Sequence, residues 1–143
     1  MDDRCTGAAS IDAPRGKTHD PAAELVARRV ERRLGDLIAL PNVGVNLTEL
    51  PPGAASFVLH RESKQDELIY VLSGRPTLVV GNAELVLRPG DCYGFKAQNG
   101  RAHRLINRSA EKAVYLEIGS RGAGGRAACP SADRPPGERE AHA

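Results

Sequence analysis

The feature that most constrains this chain is a succession of short β-type runs, each cut off by Gly, Pro or a polar turn. The runs cover residues 43–50, 56–62, 67–73, 77–80, 84–87, 93–96, 103–107 and 113–118. Between them stand Pro51-Pro52-Gly53, Gly74-Arg75-Pro76, Gly81-Asn82, Pro89-Gly90-Asp91 and Arg108-Ser109-Ala110-Glu111. A turn signal thus recurs about every 8–12 residues, the spacing of an all-β sandwich, barrel or jelly roll. No interval has room for the crossover helix that a parallel sheet requires. Gly81-Asn82, flanked by Val79-Val80 and Ala83, predicts a tight hairpin, because both residues tolerate the positive φ of such turns.

The flanks read differently. Residues 1–21 contain Asp12-Ala13-Pro14-Arg15-Gly16 and Asp20-Pro21, which interrupt any regular element, and are expected to be a disordered leader. Residues 122–143, rich in Gly, Pro and charge, are expected to be a disordered tail, leaving one domain over 22–121. Within residues 22–34 the spacing Val26, Val30, Leu34 favours a short helix stopped by Gly35. The alternation Val30, Arg32, Leu34 fits a strand there instead.

Net charge is +2, with both signs dispersed, so the chain lacks the basic face that nucleic acid selects. The basic run Arg28-Arg29-Val30-Glu31-Arg32-Arg33 reads as a solvated charged face. Three cysteines, Cys5, Cys92 and Cys129, are an odd number at irregular spacing, which argues against a disulfide framework and for a reducing compartment. No apolar stretch approaches the ~20 residues of a membrane span, and the start, Met1-Asp2-Asp3-Arg4, lacks the apolar core of a signal peptide. A cytoplasmic protein that binds neither membrane nor nucleic acid is expected.

Four residues could carry chemistry together: His60, Glu62, Glu67 and His103. Strand alternation points His60 and Glu62 to one side. A hairpin would bring Glu67 beside them, on the face of Ile69 and Val71, and His103 shares its face with Leu105 and Asn107. If the sheet closes, the four converge inside. Neutral imidazole with carboxylate suits Fe, Mn, Ni or Zn, and two His with one carboxylate and open positions make a non-haem iron site. A surface or satisfied polar role is the plain alternative for each residue alone.

The arrangement Gly53…His60-Arg61-Glu62…Glu67…Gly74 resembles the first motif of the cupin superfamily, G-x5-H-x-H-x3/4-E-x6-G. Pro89-Gly90-Asp91…Phe95…His103…Asn107 resembles the second, which ends H-x3-N. The similarity runs from about Leu34 to Arg121 and is greatest to a group of small single-domain bacterial cupins. The resemblance implies a jelly-roll barrel, a strand rather than a helix before Leu34, and turn roles for Gly53, Gly74 and Gly90. It also implies metal ligation by His60, Glu67 and His103, a small-molecule ligand at the barrel mouth, and often a homodimer. Two departures stand out. Glu62 replaces the second His of the first motif, and Lys96 and Gln98 replace a Pro and a Gly before the last His. Glu62 keeps a ligating atom but adds charge and reach, so it is expected as a fourth ligand or as a base beside the metal.

Cys92 faces away from Tyr93 by alternation and is expected to be a buried structural cysteine. Tyr70, Tyr93 and Tyr115 are expected in the core or at its rim, since other aromatics are few. Two functions compete: a metal-dependent oxygenase, isomerase or lyase acting on a small molecule, and a non-catalytic metabolite- or sugar-binding module with a degenerate metal site.

Overall fold

Strand β2, Val43–Leu50, sets the organisation of the molecule. In the computed structural model, which describes residues 24–26, 28–56, 65–97 and 102–121, its residues alternate strictly between half-buried and buried. It pairs antiparallel on one side with β1, Val30–Arg33, and on the other with β8, Ala113–Ser120. Strand β8 pairs with β3, Glu67–Ser73, and β3 with β6, Cys92–Phe95. The result is a five-stranded sheet ordered β1-β2-β8-β3-β6. A second sheet, ordered β5-β4-β7, is built from Ala83–Val86, Thr77–Val80 and His103–Ile106.

One core joins the two sheets. Leu50, Ile69, Val71, Phe95, Ala113 and Tyr115 from the larger meet Leu78, Val80 and Leu105 from the smaller. The chain passes between sheets at β3–β4, β5–β6, β6–β7 and β7–β8. This is the all-β jelly-roll architecture expected from the turn spacing. The β4–β5 hairpin turns at Gly81-Asn82 as anticipated, with Val80 paired to Ala83 and Gly81 at φ +55°. Gly53, Gly74 and Gly90 also hold positive φ, the turn roles implied by the resemblance. At Gly74 the requirement is double. A Cβ there would lie 2.6 Å from both the Ala113 Cα and the Lys112 carbonyl oxygen.

Asn107 closes the far end of β7. Its Nδ2 donates to the Leu50 carbonyl at 2.8 Å and to the Glu111 carbonyl at 2.7 Å. Its Oδ1 accepts from the Ser109 amide and hydroxyl at 3.0 and 2.7 Å. Fully buried and fully bonded, it ties the β7–β8 turn to the end of β2.

Several sequence expectations need correction. The helix favoured within residues 22–34 gives way to β1, because pairing with β2 satisfies the backbone there and outweighs a weak apolar period. Among the described residues before it, 24–26 are helical. Gly35 does not stop a helix; it lies buried inside the short turn of helix α1, Leu34–Leu37. The basic run is a solvated face only in part: Arg28 and Arg33 are exposed, whereas Arg29 and Arg32 are half-buried. Arg29 donates to the Ser56 carbonyl and pairs with Glu31 at 3.1 Å, Arg28 donates to the Pro52 carbonyl at 2.9 Å, and Arg32 pairs with Glu49 at 3.6 Å. Tyr115 is core and Tyr93 packs against it, but Tyr70 points outward and is exposed. Cys92 is exposed rather than buried, since its cross-strand partner is that outward Tyr70 and, among the described residues, β6 is the sheet's edge. The leader expected over 1–21, the tail over 122–143 and most of the strand expected over 56–62 lie outside the described residues. Among the described residues, no helix is long and apolar enough to cross a membrane.

Candidate metal centre

Two of the four proposed ligands fall within the described residues, and the fold brings them together. Glu67 opens β3 and points inward, on the face of buried Ile69 and Val71. His103 opens β7, points inward with Leu105, and is 3% exposed. The strands belong to different sheets, so this contact crosses the barrel interior. His103 Nε2 lies 3.4 Å from Glu67 Oε2. His60 and Glu62 lie outside the described residues.

Phe95 fixes the imidazole. Its ring stacks on that of His103 with centroids 3.5 Å apart and planes 7° from parallel. Phe95 sits on β6 opposite Glu67, so one residue links the strand of the carboxylate to the ring of the histidine. Tyr93 extends the aromatic wall, its ring centroid 5.0 Å from that of Phe95.

The donor set fits a metal ion. At 3.4 Å the two atoms are too far apart for a good hydrogen bond. They are close enough to share one ion at roughly 2.0–2.2 Å from each. The other oxygen, Glu67 Oε1, is buried without a hydrogen-bond partner among the described residues. A buried carboxylate oxygen left in that state is costly unless a cation or a ligand meets it. Among the described residues no group of three or more His, Cys, Asp or Glu forms a metal cluster; the third and fourth ligands would have to come from His60 and Glu62.

The inward face beside this pair carries further polar groups that stand in no motif. Glu117 on β8 faces inward and is buried, opposite Asn46 on β2 and Ile69 on β3. It is the diagonal cross-strand neighbour of Glu67, a relation that spans about 7–8 Å. Asn46 and Thr48 are buried on the same face. The signal was present in the alternation Ala113, Tyr115, Glu117, which puts Glu117 on the core face. A carboxylate on such a face, like buried Asn46, marks a polar stretch of the interior rather than an oily core.

The profile described as the cupin domain matches residues 46–119. The chain belongs to the cupin family. Among solved structures, a sugar phosphate isomerase of the cupin superfamily from Silicibacter pomeroyi is 33% identical. That match covers 83% of this chain and 76% of the other, at a TM-score of 0.75. A candidate sugar phosphate isomerase from Acidithiobacillus ferrooxidans is 38% identical over 65% of this cupin, at a TM-score of 0.61. This cupin spans 59% of that protein's length. A polyketide cyclase from Streptomyces resistomycificus shares the fold at 15% identity and a TM-score of 0.66, over 82% of this chain and 78% of the other. No protein of curated function matches the sequence.

Proposed function

We propose that this cupin is a metal-dependent enzyme that isomerises a small phosphorylated sugar in its barrel. The carrying observation is the inward pair Glu67–His103, whose Glu67 Oε1 is buried without a hydrogen-bond partner among the described residues. His60, Glu67 and His103 would hold one divalent ion, Fe, Mn, Ni or Zn, with Glu62 as a fourth ligand in states where it does not serve as base. Such an ion, when bound, polarises a substrate carbonyl and stabilises negative charge on its oxygen.

The chain's own residues supply the rest. Moving a carbonyl between adjacent carbons requires a group that takes a proton from one carbon and returns it to the next. Glu62, with the longer reach of Glu over the usual His at its motif position, is the proposed base. Glu117 and Asn46, buried on the inward face, are proposed to offer hydrogen bonds to sugar hydroxyls. The Phe95 stack holds His103 in one orientation, so the histidine contributes a fixed nitrogen. The isomerase class is favoured over oxygenase or lyase by similarity to the Silicibacter protein. The protein is further proposed to be cytoplasmic and to act as a homodimer.

The deciding measurement is metal content by mass spectrometry on untagged protein, wild type beside Glu67→Ala and Glu62→His. Near-stoichiometric metal in wild type that Glu67→Ala loses is the expected result. Equal metal in both would sink the assignment. An empty wild type beside a loaded Glu62→His would instead make this cupin a ligand-binding module whose pocket has left metal chemistry.

A further inference from the structure

The basic run ahead of β2 holds a charged pair that the proposed chemistry does not use. Arg29 and Glu31 meet at 3.1 Å, Nη2 to Oε2, with side chains only 9% and 11% exposed. Glu31 stands opposite fully buried Thr48 on β2, so the pair lies on the barrel side of the five-stranded sheet. The other arm of the guanidinium, Nη1, donates to the Ser56 carbonyl. Taking two charges out of water costs about as much as their attraction returns, so a pair this secluded adds little stability by itself. What it adds is geometry. A guanidinium is a planar fork, and it fixes two acceptors at one mutual angle.

Ser56 connects that geometry to the candidate centre. It is 2% exposed, and its amide, hydroxyl and carbonyl each have a partner. The amide donates to the Leu105 carbonyl at 2.8 Å, and Oγ accepts from the Leu105 amide at 2.9 Å. The carbonyl is left for Arg29. Neighbouring Ala55 bridges Ile106, and the Asn107 amide donates to the Ala54 carbonyl at 2.9 Å. Residues 54–56 thus run antiparallel beside β7, the strand that opens with His103, and Leu105 shares its face with that histidine. In sequence, His60 and Glu62 follow Ser56 by four and six residues. The Ser56 carbonyl belongs to the peptide that enters this stretch, while the same serine is bonded to the strand of His103.

We propose that Arg29 is a positioning residue of the metal centre: its fork on Glu31 and the Ser56 carbonyl sets where the stretch bearing His60 starts relative to His103. The inference rests on the metal reading above and adds to it a residue that stands in no motif. Arg28 supplies an internal comparison. It donates to the Pro52 carbonyl at 2.9 Å, on the same connection, but it is exposed and acts at the far end, before Gly53.

The test uses the full chain with Co²⁺ as probe, because the visible spectrum of bound cobalt reports ligand number and geometry. Arg29→Met combined with Glu31→Leu replaces the pair by apolar groups, strands neither charge and is expected to keep the fold. Arg33, which also pairs with Glu31, is 45% exposed and stays solvated. Arg29→Lys keeps the charge beside Glu31 and loses the fork. Arg28→Met is the control. Melts of the chelated proteins measure stability, and competition with a chromophoric chelator measures cobalt affinity. The double variant should melt within a few degrees of wild type, bind Co²⁺ about 10- to 100-fold more weakly and show an altered spectrum. Arg29→Lys should weaken binding in the same direction, and Arg28→Met should bind like wild type. A folded double variant with wild-type affinity and spectrum would overturn the positioning role. If the double variant does not fold, Arg29→Lys decides by the same two readouts. An equal loss in Arg28→Met would also overturn it, because the effect would then be a general loosening of the connection. A wild type that takes up no Co²⁺ would overturn the metal reading and this inference with it, whereas cobalt bound equally by wild type and the folded Arg29 variants overturns this inference alone.

Discussion

At the scale of single residues, Phe95 is informative because it touches the candidate centre without being able to ligate anything. Its ring lies flat on His103, and its strand position faces Glu67. Phe95→Leu keeps most of the apolar volume but removes the flat surface that orients the imidazole. Loss of an orienting contact of this kind typically weakens metal affinity about 10- to 100-fold. A competition titration with a chromophoric chelator should therefore show weaker binding at nearly unchanged fold stability, whereas Phe95→Ala should also destabilise by about 3–5 kcal/mol through its cavity. Unchanged metal affinity in Phe95→Leu would remove the orienting role. Asn107 sits in the same motif and behaves oppositely. Its hydrogen bonds run to Leu50, Ser109 and Glu111, so Asn107→Leu should destabilise by about 2–4 kcal/mol in urea unfolding without altering metal stoichiometry in the folded protein.

These residues also show what the sequence makes legible. Glu67 and His103 could be placed inside because alternation fixes the face of a strand residue once the strand is recognised. Glu117 was equally placeable, but it stands in no motif, and one sequence does not say which inward polar residue lines a pocket. Cys92 was misjudged for a related reason. Alternation correctly turns it away from Tyr93, but whether an outward position is covered depends on where the strand falls in the sheet, and among the described residues β6 falls at the edge.

At the scale of elements, the turns were more legible than the first strand. Turn residues act locally through allowed φ, so Gly74 and Gly81 could be recognised from their neighbours alone. Strand β1 could not, because its four residues are held by cross-strand partners Asn46 to Glu49, which are distant in sequence. The two glycines provide a matched test. Both have positive φ, at +78° and +55°. A Cβ at Gly81 would meet nothing within 4 Å, whereas one at Gly74 would strike the backbone of Ala113 and Lys112. Gly81→Ala should therefore cost only the conformational penalty of about 1–2 kcal/mol. Gly74→Ala should add a steric cost for a total of about 3 kcal/mol or more, since backbone must shift at the β3–β8 contact. Paired denaturant titrations give the comparison. Equal losses would mean that the β3–β4 turn relaxes freely, which would weaken the case that it fixes the position of β3 and of Glu67.

At the scale of the whole molecule, the barrel divides its interior between two tasks. Leu50, Leu78, Leu105 and Tyr115 make a dry core, while Glu67, His103, Asn46 and Glu117 are polar groups held inside. Polar groups kept indoors contribute little to folding by themselves, and an ionised carboxylate with an unpartnered buried oxygen subtracts from it. If a divalent ion meets Glu67, the chain's stability becomes linked to metal. An ion that binds the native state alone adds about 2.7 kcal/mol at a free concentration one hundred times its dissociation constant. Dialysis against a chelator should therefore lower the melting temperature of wild type, and adding back the correct divalent ion should restore it in a concentration-dependent way. Glu67→Gln removes the buried charge and keeps the shape. Without metal it should melt at or above the temperature of chelated wild type, and it should respond weakly to added ion. The two curves carry the argument jointly. A chelator-sensitive wild type beside an insensitive Glu67→Gln places the ion at this carboxylate, whereas equal sensitivity in both would place it elsewhere in the chain. Insensitivity in both would leave the inward carboxylate to a ligand's hydroxyls rather than to a metal.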